Sequence, residues 1–290
     1  MEKKKGSVAA FVVLILLVLA GTYYREHDGA RDGLEQTATG IAERIREERG
    51  ATEDAVSKQL RGLEIPYLLA TEDNTIIEHM GYTLSYNHTR RIPNWVAYEL
   101  LESELYGDFD RAEEFKPDPS VKGRQAYDSD YRGSGWDRGH MAPSGDMKWS
   151  SQVQKECFYL SNICPQNHNL NSGVWNDLEK QVRYEARYYK RIWVVCGPVV
   201  ERNLYGTIGS NKVVVPDGFF KALLARKKNG DYVSIGFYFP NESGTNPLST
   251  YAMSVDELEE LVGMDLFFNM DDDVQDDVEA VFDPADWKIR

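Results

Sequence analysis

Residues 191–200, RIWVVCGPVV, limit the fold of this chain more than any other segment. Ten residues fall well short of the roughly 20 that a membrane-spanning helix needs, and the apolar positions do not alternate, so neither face can be left in water. The run predicts a strand buried on both faces. Residues 232–239 (YVSIGFYF) predict a second strand, residues 82–86 alternate as a third, and residues 157–163 (CFYLSNI) read as a fourth. Residues 174–189 have helical apolar spacing, as do residues 94–105 (NWVAYELLESEL), with Asn94 placed as N-cap. Strands that outnumber and interleave with helices predict an α+β domain around a central, largely antiparallel sheet. A hydrophobic content of 42% in 290 residues is ample for its core and excludes a disordered chain.

The first 64 residues are of another kind. Lys3, Lys4 and Lys5 precede an uncharged run from Gly6 to Tyr24 with an apolar centre from Val8 to Ala20, which is the pattern of an export segment. The whole run could just span a membrane as a signal anchor, whereas Val18 and Ala20 make a cleavage site. Residues 1–27 are therefore expected either to anchor an extracytoplasmic domain or to be removed from a periplasmic or secreted one. Residues 28–64, rich in Glu, Arg and Ala, predict a helical stalk or linker. Residues 65–290 form one domain, because no Gly/Ser-rich linker and no repeat divides them. A homodimer is compatible with this organisation. Cys157, Cys164 and Cys196 cannot all pair within one chain and lack the spacing of a zinc site, so their pairing stays open.

A formal net charge of -14 excludes binding of nucleic acid through a broad basic surface. Any positive field for phosphate must be local. Nine acidic residues beyond Met264 hold much of the negative balance in the tail.

Two segments carry the groups for phosphate chemistry: WDRGHMAPSGDM (residues 136–147) and YLSNICPQNHNLNSGVWNDLEKQVR (residues 159–183). The first sets Arg138 two residues from His140, a fixed cation beside a group that titrates near neutrality. The second sets Asn171 before a helix, with Glu179 eight residues on and Arg183 four beyond, a spacing that puts the three on one helical face. A base, a hard oxygen ligand, a carboxylate and two guanidinium groups are what hydrolysis of a phosphodiester calls for. Taken singly, each has a plainer reading: Asn171 as an N-cap, Glu179 and Arg183 as a surface pair, and His27, His79, His88 and His168 as solvated or structural histidines.

DRGH followed by LSN, PQ, LN, W and LE, with GYTLSYN, NWVAY and DDVQ in order around them, resembles the DNA/RNA non-specific endonucleases of the Serratia type and the endonuclease G type over roughly residues 82–278. The resemblance implies the ββα-metal (His-Me finger) fold. It implies a Mg²⁺-dependent enzyme, with Mn²⁺ as an alternative ion, that hydrolyses DNA and RNA to 5′-phosphate and 3′-hydroxyl ends. By the same resemblance His140 is the general base, Asn171 the one direct protein ligand of the metal, and Glu179 the carboxylate that orients water there. Arg138 and Arg183 become the phosphate and transition-state arginines, and Asn162 a site asparagine near the base. One position departs from the family pattern: an upstream arginine is replaced by Glu113, with Arg111 and Arg124 as substitutes. Two other functions fit parts of the sequence: a nuclease-like binding protein without turnover, and a phosphodiesterase for small substrates.

Overall fold

The structure, a computed structural model, describes residues 62–67, 74–112 and 114–289. The expected export segment, most of the expected stalk and Glu113 lie outside the described residues. Among the described residues no helix is long and apolar enough to cross a membrane. The strands are β1 (Asn74–Glu78), β2 (Thr83–Asn87), β3 (Ile92–Leu101), β4 (Asp137–His140), β5 (Ile163–Gln166), β6 (Arg191–Val199), β7 (Thr207–Ile208), β8 (Val213–Val214), β9 (Gly218–Arg226), β10 (Tyr232–Pro240) and β11 (Ala252–Met253). The helices are α1 (Asp128–Tyr131), α2 (Ser151–Glu156), α3 (His168–Ser172), α4 (Val174–Tyr189), α5 (Val255–Val262), α6 (Asp272–Glu279) and α7 (Pro284–Trp287).

Seven strands form one sheet in the order β1-β2-β3-β6-β9-β10-β11, and every neighbouring pair is antiparallel. The apolar run became β6 at the sheet's centre, where every residue from Ile192 to Val199 is buried. Its neighbour β9, GFFKALLAR, is equally buried up to Arg226.

Residues 94–105, expected as a helix, lie instead in β3 and the 3-10 turn Glu102–Tyr106 that follows it. The reason is position. β3 pairs with β2 on one side and β6 on the other, with Trp95 opposite Ser85 and Val96 opposite Cys196. Most of its residues are buried, so its apolar positions need not alternate, and two backbone ladders outweigh the local helix preference. Residues 157–163 are also not the expected strand: a 3-10 turn, Leu160–Asn162, delivers the chain into β5 at Ile163.

The part that positions the site is a small ββα unit beside the main sheet. β4 pairs antiparallel with β5, Asp137 opposite Gln166 and His140 opposite Ile163, and α3 and α4 follow directly. Gly139 is needed in this hairpin because a Cβ there would overlap the Gln166 side chain. α4 buries Val174, Trp175, Leu178, Val182 and Ala186 and lies against β6 and β3, which fixes the helix that carries Glu179 and Arg183.

Both ends of the described domain are packed. Leu63 is buried and the Gly62 carbonyl accepts a 2.7 Å hydrogen bond from Asn269, so residues 62–64 pack with the domain and not with a stalk. The acidic tail is folded as well: Trp287 is buried and donates its indole N–H to the Ser234 carbonyl at 3.2 Å.

Candidate active site

His140 ends β4 with its ring edge-on to Phe158 at 4.7 Å between centroids and tilted against Phe115 at 5.4 Å. Its Nε2 is sealed from solvent without a hydrogen-bond partner. Burial, and then the nearby Arg111 cation, push the imidazole down to about 3, so it is neutral at any ordinary pH. Arg111 lies over Phe158, 4.9 Å from the ring centroid. Arg124 is elsewhere, in a cleft with His88, Arg91 and Lys122. Of the two arginines considered as substitutes for the family arginine, only Arg111 reaches the histidine.

Asn171 is not an N-cap. It lies within α3, whose cap is Asn167, the Oδ1 of which accepts the N–H of Asn169 at 2.9 Å. Gly173 (φ -99°, ψ -118°) separates α3 from α4, so the eight-residue spacing from Asn171 to Glu179 does not run along one helix. What orients Asn171 is β4: its Nδ2 donates to Asp137 Oδ2 at 2.9 Å. The same carboxylate oxygen meets His168 Nδ1 at 2.9 Å. With the amide nitrogen committed to Asp137, Oδ1 is the end of Asn171 that could hold a hard cation, and its orientation is set by that bond.

Glu179 and Arg183 share one face of α4. Burial pushes the Glu179 carboxyl up to about 7; Asp146 acts in the same direction, and Lys221, Arg183 and Arg111 oppose them. Arg183 Nη1 pairs with buried Asp146 at 2.6 Å, and Asp146 also accepts the Tyr98 hydroxyl at 2.9 Å. Lys221, on β9, is fully buried with Nζ 4.7 Å from the centroid of Trp175 and no hydrogen-bond partner. Arg138 packs over Phe115 and Tyr131, each centroid 5.5 Å away, and pairs with Asp128 at 2.7 Å.

Asn162, expected near the base, lies beside it against the backbone. It is fully buried, its Oδ1 accepts the Ala142 N–H at 2.9 Å, and its Nδ2 donates to the carbonyls of Ala142 at 2.9 Å and Cys157 at 2.8 Å. No part of the amide is left for substrate. Asn162 brackets the backbone just after His140 and holds the base in place. Arg138 and Arg183 are likewise tied to acids and not free forks.

The Arg111 charge acts on both His140 and Glu179, secondary to burial in each. Asp137, Asp128, Asp146 and Lys221 were not foreseen. Only Asp137 left a signal, as the first letter of DRGH. The three cysteines are buried and free.

A histidine-bearing hairpin leading into a helical arm with Asn171, beside an antiparallel sheet, defines a ββα-metal nuclease domain of the α+β class. The chain belongs to the DNA/RNA non-specific endonuclease family, whose model matches residues 63–275. It is 38% identical over 209 residues to the human mitochondrial nuclease EXOG, 67% of this chain and 57% of that protein, so it spans less than two thirds of that relative. It is 35% identical to human mitochondrial endonuclease G, covering 63% of this chain and 66% of that one. A nuclease of Nostoc sp. is 32% identical over 73% of this chain and 80% of its own. A solved EndoG/EndoGI complex contains a chain that superposes with a TM-score of 0.67 at 29% identity, covering 77% of this chain and 96% of its own.

Proposed function

We propose that the chain is a metal-dependent endonuclease that hydrolyses phosphodiester bonds of DNA and RNA to 5′-phosphate and 3′-hydroxyl ends. The observation that carries this reading is the single strand β4, which supplies both His140 and, through Asp137, the orientation of Asn171. An asparagine oxygen with its nitrogen already committed suits a hard divalent ion such as Mg²⁺ or Mn²⁺. When bound, that ion supplies Lewis-acid stabilisation of charge on the phosphate and the leaving 3′ oxygen.

The protein's own groups do the rest. His140, neutral, accepts a proton from the water that attacks phosphorus; the new P–O bond forms as the P–O3′ bond breaks, and the leaving 3′ oxygen takes a proton from solvent water while His140 returns its own to solvent. An incoming phosphate opposes the Arg111 charge and raises the proton affinity of His140 when it is needed. In this reading Arg111 meets the phosphate, and Arg183 and Arg138 add those N–H groups that their acids leave free. Glu179 orients water. A site that reads phosphate and sugar has little base preference.

The test is digestion of plasmid DNA, RNA and a small chromogenic diester, with end-labelling of the products. Cleavage of both polymers that stops in EDTA and returns with Mg²⁺ or Mn²⁺ is expected. Full activity after exhaustive chelation, or turnover of the small diester alone, would overturn it.

A further inference from the structure

The acidic C-terminal region contains a second group of acceptors, remote in fold from β4 and α4. Asp256 and Glu259 stand on α5 and Glu279 at the end of α6, and each offers one carboxylate oxygen such that all three lie within 4.8 Å of one another. Glu279 is 2% exposed, and its Oε1 is sealed with no hydrogen-bond partner. A buried carboxylate oxygen with no donor is costly, because nothing replaces the water it lost. The charges that act on it most are Glu259, Asp265 and Asp256, all carboxylates, and the Gln275 side chain opposes them only in part. Asp256 in turn faces Asp276 and Glu260, and Glu259 faces Asp265 and Asp256.

The remaining hydrogen bonds shape this group without neutralising it. Glu259 accepts the Leu266 N–H, and Gln275 donates to Asp265 at 2.7 Å and to the Leu266 carbonyl at 2.9 Å, which ties α5, the connecting loop and α6 together. Asp256 is exposed, Glu259 intermediate and Glu279 buried, so the group opens to solvent on one side.

We propose that Asp256, Glu259 and Glu279 form a second divalent-cation site, structural and suited to Ca²⁺. Ca²⁺ accepts irregular shells of oxygens at about 2.4 Å, whereas Mg²⁺ at about 2.1 Å demands a near-ideal octahedron. Three carboxylates from two helices, completed by water on the open side, match the flexible coordination of Ca²⁺. The ion offsets the stacked negative charge and fastens α6 to α5. It takes no part in hydrolysis, which separates this site from the one at Asn171.

The test is Ca²⁺ titration of the full chain by calorimetry, with thermal unfolding in parallel, for the wild type, Glu279→Gln, Asp256→Asn and Asn171→Ala. Millimolar Ca²⁺ is expected to raise the wild-type Tm by about 5 °C. Asn171→Ala keeps that shift, whereas Asp256→Asn and Glu279→Gln lose most of it while still cutting DNA with Mg²⁺. Asp256→Asn, at an exposed position, keeps the test decisive if Glu279→Gln folds poorly. A wild-type Tm indifferent to Ca²⁺, or an equal shift in both carboxylate variants, would overturn the proposal. Loss of the shift in Asn171→Ala alone would overturn it too, by assigning the ion to the active site.

Discussion

Two groups of acids in this molecule meet opposite surroundings. Around α4, Glu179 and Asp146 are interleaved with Arg183, Lys221 and Arg111. Between α5 and α6, Asp256, Glu259 and Glu279 face chiefly other carboxylates. Burial raises Glu179 to about 7 and Glu279 to about 9, and the gap between them follows the cations present in one place and missing among the named neighbours in the other. A chain of net charge -14 can therefore address a polyanion, because the field that matters is set within a few ångströms by β4, β9 and α4.

The hardest way to break that contrast is to remove the base. His140→Ala leaves Asp137, Asn171 and the arginines where they are, so DNA binding should persist while kcat falls roughly 10² to 10⁴-fold. Imidazole added to this variant should restore part of the rate by occupying the space between Phe115 and Phe158. Asn171→Ala should fail differently, with activity partly regained at high Mg²⁺ or Mn²⁺. Cleavage at the wild-type rate by folded His140→Ala would remove the histidine from the mechanism.

Arg111→Ala comes next in size. Its cation acts on both His140 and Glu179, so its loss should lower kcat/KM about 10²-fold, whereas Arg124→Ala should leave the rate nearly unchanged. Equal losses in the two variants would mean that Arg111 contributes only diffuse charge.

The candidate site was legible in residue type, because phosphate chemistry restricts it to groups such as His140, Asn171, Glu179 and Arg183, but the single helical face expected for Asn171 and Glu179 is broken at Gly173. Partners were not legible. Asp137 orients Asn171 across 34 positions of sequence, and Asp146 fixes Arg183 across 37, distances over which no local pattern speaks. Asn162 was readable as important but not as a bracket, since only its three bonds to backbone distinguish a buried amide from a catalytic one. In the fold, β6 and β10 announced themselves by continuous apolar runs. β3 was mistaken for a helix because a strand covered on both faces loses the period of two. β9 escaped because Lys221 interrupts its run, and a lysine in a central strand makes sense only once Trp175 and Glu179 surround it.

Lys221→Met sharpens the comparison by making the first acidic group resemble the second. Among the neighbours, Lys221 does most to lower Glu179, so its removal should raise that carboxyl above about 7. Glu179 acts ionised, and activity falls as pH drops through its pKa; the acid limb of the kcat/KM profile should therefore move to higher pH. A several-fold loss at pH 7, largely recovered near pH 8.5, is expected. A lower Tm with the pH profile unmoved would make Lys221 a packing residue only.

The smallest effect is on stability and reads the two groups separately. A carboxyl whose folded pKa is raised binds its proton more tightly in the folded state, so its contribution is full below the unfolded value and is lost as pH rises through the folded one. Glu179 and Glu259, both at about 7, lose theirs between about 4.5 and 7, while Glu279, at about 9, continues to lose stability up to that pH. In EDTA the wild-type Tm should therefore keep falling between pH 7 and 9. Glu279→Gln, permanently neutral, should flatten that upper part of the curve by a few degrees, and Glu179→Gln only the lower part. Scanning calorimetry at half-unit pH steps separates the two windows. A Glu279→Gln curve parallel to the wild type from pH 7 to 9 would show that its carboxylate is already neutralised by a partner other than a proton.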